Sequence, residues 1–162
     1  LVTSTPTYGA QVTQVVVVAD QVINNQVDII VSGPQGALPS SVISAIQAYV
    51  NPRVPITDKP VVSSPSTLAV VVGATVYVYA SQLTSAQNAI LVALTNYFAG
   101  IGTNGTIRTA AITAVIMNVP GVVDVQGVTV NGSSAADTVL GSSTTYVLPS
   151  LTTPLTLGYV TQ

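Results

Sequence analysis

Glycines at 100, 102 and 105 stand at the spacing Gly-x-Gly-x-x-Gly, with which a strand-to-helix turn cradles the pyrophosphate of a dinucleotide. Asp124 lies near the distance at which an acidic residue would hold the ribose of such a cofactor. That chemistry needs a short β run before the first glycine and a helix after the last, so that phosphate meets a helix N-terminus. Residues 86–99 carry helical periodicity instead. The glycines therefore read as an inter-helix loop that needs backbone freedom, and no cofactor is assigned to them.

Covalent and metal chemistry have equally little to work with. The chain has no His, Cys or Glu, and its one lysine, Lys59, is held between Asp58 and Pro60 in a proline-rich turn. A Ser/Lys pair is the one formal route to a nucleophile. Asp58 beside Arg53 and Lys59 reads better as a local charge pair supporting the turn. Asp20, Asp28, Asp124 and Asp137 are spread too evenly for a two-carboxylate or metal site, unless folding brings three groups together. No catalytic, cofactor-binding or metal-ligating residue is expected, and no small-molecule substrate.

Asn104-Gly105-Thr106 and Asn131-Gly132-Ser133 match the glycosylation sequon. Asn-Gly is also a turn dipeptide, and the turn is the favoured reading. Of the seven tyrosines, Tyr49, Tyr77, Tyr79 and Tyr97 fall on helix or strand positions that core or sheet face explains, with Tyr97 expected in the core. Tyr8, Tyr146 and Tyr159 carry no preference.

The elements that position these residues follow from periodicity. Residues 12–19 and 26–32 are β-branched runs separated by Asn24-Asn25, a hairpin pattern. Gly33-Pro34-Gln35-Gly36 breaks the second run, and Pro39-Ser40-Ser41 supplies helix-start chemistry. Val42, Ile43, Ile46, Tyr49 and Val50 then share one helical face, which ends before Asn51-Pro52. The turn that follows is stiffened by Pro52, Pro55 and Pro60. Val61-Val62 reads as a short strand and 68–80 as the longest, with Thr75, Tyr77 and Tyr79 on one face and Ala74, Val76 and Val78 on the other.

Thr84 or Ser85 is the expected cap of a second helix with Ile90, Leu91, Leu94, Tyr97 and Phe98 on its apolar face, and Gly100 is its stop. A third helix carries Ala111, Ile112, Val115, Ile116 and Val119, Pro120-Gly121 ends it, and 122–130 is a strand. Helices are thus predicted near 39–50, 84–99 and 108–118. In the Ser/Thr-rich tail, 144–148 and 155–160 read as edge strands or an arm. The fold class is α+β: a first lobe (10–66, ββαβ), a second lobe (67–130, βααβ), and a tail (131–162) packing on the second.

At 162 residues, either one domain or two small lobes can bury about 70% of the surface the unfolded chain exposes. The absence of cysteine leaves the redox compartment open. Three Lys or Arg and five Asp make eight charges in all, against roughly 25% of residues in ordinary domains, so Ser, Thr, Asn and Gln must solvate the surface. Three scattered cations do not track phosphates, and nucleic acid is not an expected partner. The mean hydropathy of +0.63 raises the question of a membrane span, which needs about 20 apolar residues. The charge-free interval between Lys59 and Arg108 is cut by Ser63-Ser64, Pro65, Ser81-Gln82, Asn88, Thr95 and Asn96. A soluble protein without a membrane partner is the expectation. The chain begins at Leu1 and its one methionine is Met117, so it is expected to be a piece of a longer protein.

The stretch 32–79, SGPQGALPSSVISAIQAYVNPRVPITDKPVVSSPSTLAVVVGATVYVY, places a Gly/Pro turn, an amphipathic helix, an Arg53-Val54-Pro55 turn and a β-branched strand in succession. A second helix over 83–99, then GTNGTIRTAAITAVIMNV, then Pro120-Gly121-Val122-Val123-Asp124-Val125 complete the order. Over roughly 12–130 this succession resembles the baseplate J family of contractile phage tails. The resemblance implies the C-terminal part of a baseplate wedge protein, a structural virion component of the tail baseplate assembled in the host cytoplasm. It also implies contacts with copies of itself and with other wedge proteins, and a share in triggering sheath contraction. The Ser/Thr-rich, acidic, cysteine-free composition would also suit an exported adhesive or surface-layer module, but such modules are usually all-β and the helical faces argue against one.

Overall fold

Asn25 takes a φ of 63°, a left-handed conformation that asparagine tolerates better than branched residues do, and there the first β-branched run doubles back. The computed structural model describes residues 11–20, 23–34, 36–141, 146–153 and 155–162. β1 (Gln14–Ala19) and β2 (Gln26–Gly33) pair antiparallel with Val16 opposite Ile30. β2 also pairs antiparallel with the short β3 (Gly36–Ala37). The chain then passes through α1 (Ser40–Val50) and returns as β4 (Lys59–Ser63), parallel to β2. A parallel partner requires such a crossover, and α1 supplies it.

Val12, Ile29, Val31, Ile46, Val50 and Val62 form the core of this part, with Val42, Ile43 and Tyr49 of α1 packed around them. The face read from the spacing is thus the face that is buried. Side-chain capping at the start of α1 is absent: the N-cap is Pro39, and its carbonyl accepts from Val42 N–H and Ile43 N–H. Gln47, on the same helix, donates to Pro60 O at 2.8 Å and accepts from Val62 N–H at 2.7 Å, which satisfies two backbone groups of β4.

The expected long strand over 68–80 is two strands, β5 (Ser66–Val70) and β6 (Val72–Val78), parted at Val71. β6 alternates buried and half-buried residues, with Val72, Ala74, Val76 and Val78 on the buried side. After β6 comes α2 (Leu83–Ala99), whose Ala86, Ile90, Leu94 and Phe98 are buried at every fourth position. Leu91, expected on the apolar face, is exposed, because a stripe repeating every fourth residue is too narrow to include it. Neither Thr84 nor Ser85 caps the helix. The N-cap is Gln82, no side chain bonds the first free N–H groups, and Ser85 Oγ donates to Gln82 O.

β7 (Thr106–Arg108) precedes α3 (Thr109–Met117), and β8 (Val122–Val130) follows it. Gly121 turns the chain into β8 at φ 90°, where a Cβ would also run into the Gln82 carboxamide. β9 (Asp137–Val139) pairs antiparallel with β7. β10 (Val147–Leu151) pairs with β5, and β11 (Thr156–Thr161) pairs parallel with β6. The strand expected over 144–148 lies partly outside the described residues. The second sheet therefore runs β11-β6-β8, with β8 antiparallel to β6, and α3 packs on β8 and on α2.

The chain divides into two compact units, one comprising the described residues of Leu1–Thr67 with Gly141–Leu148, the other Leu68–Leu140 with Pro149–Gln162. The fold is α+β, with three α-helices among the described residues close to the predicted positions. Among those residues no helix is long and apolar enough to cross a membrane.

Candidate functional site

The Gly-x-Gly-x-x-Gly loop sits between the end of α2 and β7, and α3 begins only at Thr109. No helix N-terminus faces it in the manner a pyrophosphate needs. Gly100 closes α2 at an ordinary φ of −81°, its N–H bonded to Asn96 O and Tyr97 O. The left-handed residue is Asn104, at φ 56°. Gly105 is required for space: a Cβ there would lie 2.6 Å from Ile101 Cγ2 and 2.9 Å from Gly102 O. Asp124 is on β8, where its carboxylate accepts from Val125 N–H at 2.8 Å and Gln126 Nε2 at 2.7 Å.

The charge pair expected of Asp58 with Arg53 or Lys59 does not form. Arg53 lies four residues beyond Tyr49, so the helical turn brings Tyr49 beneath it. Its guanidinium stacks 3.8 Å from the Tyr49 ring centroid, and Nη1 donates to Tyr49 O at 2.7 Å. Asp58 accepts from the Thr57 hydroxyl instead. Among the described residues the one ion pair is Arg108 Nε to Asp137 Oδ1, at 4.0 Å between two exposed side chains, a geometry that contributes little.

Two other aspartates are brought together. Gln26 Nε2 donates to Asp20 Oδ2 at 3.1 Å and to Asp28 Oδ1 at 2.9 Å, and Asp20 Oδ1 accepts from Ile23 N–H. The amide and the backbone satisfy these oxygens. Among the described residues no three His, Cys, Asp or Glu side chains group as a metal site would require. Both Asn-Gly sequons are turns: Asn131 and Gly132 take φ 50° and 78° between the bridged residues Val130 and Ser133, as a tight hairpin turn demands. Tyr97 is half-buried, edge-on to Phe98 at 5.2 Å, with its hydroxyl accepting from Arg108 N–H.

What the chain offers is weakly charged, partly apolar surface. In the second unit, the face of the β11-β6-β8 sheet opposite the buried valines carries Thr75, Tyr77, Asp124, Gln126 and Val160, and Tyr79, 54% exposed, continues it. The alternation that assigned Tyr77 and Tyr79 to one side was the signal for this face. Tyr159 is on the other side, opposite Val76, and burial raises its pKa above the usual tyrosine value. On α2, Leu91 and Val92 are exposed among Asn88, Thr95 and Asn96, a helix face without charge. In the first unit, Ile56 stands fully exposed at the tip of the proline-rich turn. Sequence reasoning identified that turn as stiff but not what it presents. These surfaces can make protein–protein contacts with modest desolvation of charge.

The Baseplate J-like protein C-terminal domain matches residues 70–153, a little over half of the chain. The match starts just inside the second unit. Among solved structures, the cryo-EM structure of the anti-feeding prophage (AFP) baseplate, 6-fold symmetrised, is similar with a TM-score of 0.52 at 14% identity. That likeness covers 77% of this chain and 29% of the other, so the chain spans under a third of that baseplate chain, and the likeness is one of fold. No curated protein matches the chain.

Proposed function

Because the chain belongs to the baseplate J-like family, we propose that it forms part of a baseplate wedge in a contractile phage tail or phage-tail-like injection device, and works by contact without turning over a substrate. The observation that carries this reading is the family match over residues 70–153. The fold likeness to the anti-feeding prophage baseplate supports it over most of the chain. The surface agrees: weakly charged, partly apolar faces on separate elements suit a subunit with several neighbours.

In this reading the two compact units, Leu1–Thr67 with Gly141–Leu148 and Leu68–Leu140 with Pro149–Gln162, each present surfaces to copies of the protein and to other wedge proteins. The assembly sits in the tail baseplate of the virion, forms in the host cytoplasm, and takes part in triggering sheath contraction. Neither nucleic acid, membrane nor cofactor has a role. Interfaces of about 1,000 Å² or more are expected in the particle. The three helices weigh against an adhesive module.

Deletion of the gene for the full-length protein tests the proposal. Sheathed tails with complete baseplates should disappear from electron micrographs, and their normal assembly would overturn it.

A further inference from the structure

Between α1 and β4 the backbone is held at many points. Pro52, Pro55 and Pro60 each fix a φ, and Asp58 N–H closes a turn onto Pro55 O at 3.0 Å. Lys59 N–H anchors the exit to Asn25 O at 2.7 Å, while Arg53 anchors the entry through the Tyr49 stack. At the tip, Ile56 is 104% exposed. A lone exposed aliphatic is ordinary on a protein surface, but three things set this one apart. It is wholly free of contact, on a turn where a polar residue would serve. The turn holding it is stiff, so little freedom is lost on docking. And Arg53, Asp58 and Lys59, three of the eight charges of the chain, flank it within seven positions. Asp58 and Lys59 form no ion pair among the described residues.

An apolar centre with a charged rim is the anatomy of an interface hot spot. We propose that the Pro55-Ile56 tip is an anchor that inserts into an apolar pocket on a neighbouring protein subunit. Two cations against one carboxylate on the flanks select a pocket whose rim is acidic. The inference rests on the baseplate reading for the neighbour being a subunit of the same assembly.

The test uses the full-length protein in cells that make the particle. With Ile56→p-benzoylphenylalanine, irradiation of assembled particles should join the tip to a second polypeptide, at an apolar site bearing Asp or Glu. Crosslinks only within its own polypeptide, to a site of other chemistry, or to nothing would overturn the anchor. Ile56→Asp should lower the number of complete sheathed particles by about tenfold or more, the loss expected of a hot-spot residue, while Ile56→Val keeps them. Ile56→Asp should leave the melting temperature unchanged, since the side chain is free in the isolated chain, so a folding defect would also count against the idea. Normal particles with Ile56→Asp, where gene deletion abolishes them, would sink the anchor and leave the baseplate reading standing. Normal particles after deletion would sink the baseplate reading itself.

Discussion

Asn131 and Val71 exchange two hydrogen bonds: Asn131 Oδ1 accepts from Val71 N–H at 2.7 Å, and Val71 O accepts from Asn131 N–H at 2.8 Å. Nδ2 of the same asparagine reaches Ala69 O at 3.4 Å. The pair fastens the turn after β8 to the residue where β5 gives way to β6. Asn131→Ala should destabilise the protein by about 1–2 kcal/mol, since it removes an acceptor and places alanine at φ 50°. Asn131→Gly, which relieves the backbone but restores no acceptor, should cost less. Denaturant melts of the two variants check the order, and equal stability of Asn131→Ala and wild type would contradict it.

Gln47 offers a parallel case in the first unit. Gln47→Leu keeps the bulk but leaves Val62 N–H and Pro60 O without the bonds they make now. The expected loss is about 1–3 kcal/mol, read as a lower denaturation midpoint with an unchanged m-value.

Two neighbours on α2 should behave oppositely. Leu94 is fully buried and Leu91 is exposed. Leu94→Ala is expected to cost about 2–5 kcal/mol, and Leu91→Ala within about 0.5 kcal/mol. Comparable losses would mean that the helix buries a wider stripe than described.

The melting temperature should be nearly flat from about pH 5 to pH 9, because the chain has no His or Glu and reference values for Asp, Lys and Arg lie outside that window. An unfolded tyrosine ionises near pH 10, and burial holds Tyr159 above that. Between the two values the folded chain keeps a proton that the unfolded chain has released, so stability falls as pH rises beyond about 10. Tyr159→Phe should lessen the alkaline fall and leave the plateau unchanged. A steep change between pH 6 and pH 7 would contradict the expectation.

How much of this was legible in the sequence depends on how local each signal is. α1 and α3 were readable because Ile46 and Val50, or Ile112 and Ile116, repeat at a helical interval within one short segment. The hairpin of β1 and β2 was readable from Asn24-Asn25. The break at Val71 was not, because the side chain that bonds its N–H in place of a strand neighbour lies 60 positions away. β7 and β9 have three residues each, too few for an alternation to show. The run at 61–62 was visible, but nothing within it says that its partner is β2 in parallel. The charges around Asp58 misled because proximity in sequence favoured an ion pair, while the helical turn placed Tyr49 within reach of Arg53. The Gly-rich loop is a connection, but it leads from α2 into β7 and not directly into α3, and the glycine that matters there is Gly105, for the space it leaves and not for its torsion angle.

The parallel pairing of β11 with β6 sets a condition on synthesis. Leu157 lies opposite Ala74, so β6 emerges from the ribosome 83 positions, 157 against 74, before its neighbour on that side exists. At a typical rate of about 5–20 residues per second, the Val-rich strand waits several seconds or more with one edge open. Long-range pairings of this kind are slow to close and expose aggregation-prone edges meanwhile. Production of this protein is therefore expected to depend on the pace of translation and on chaperones that shield β6 until Thr156–Thr161 arrives.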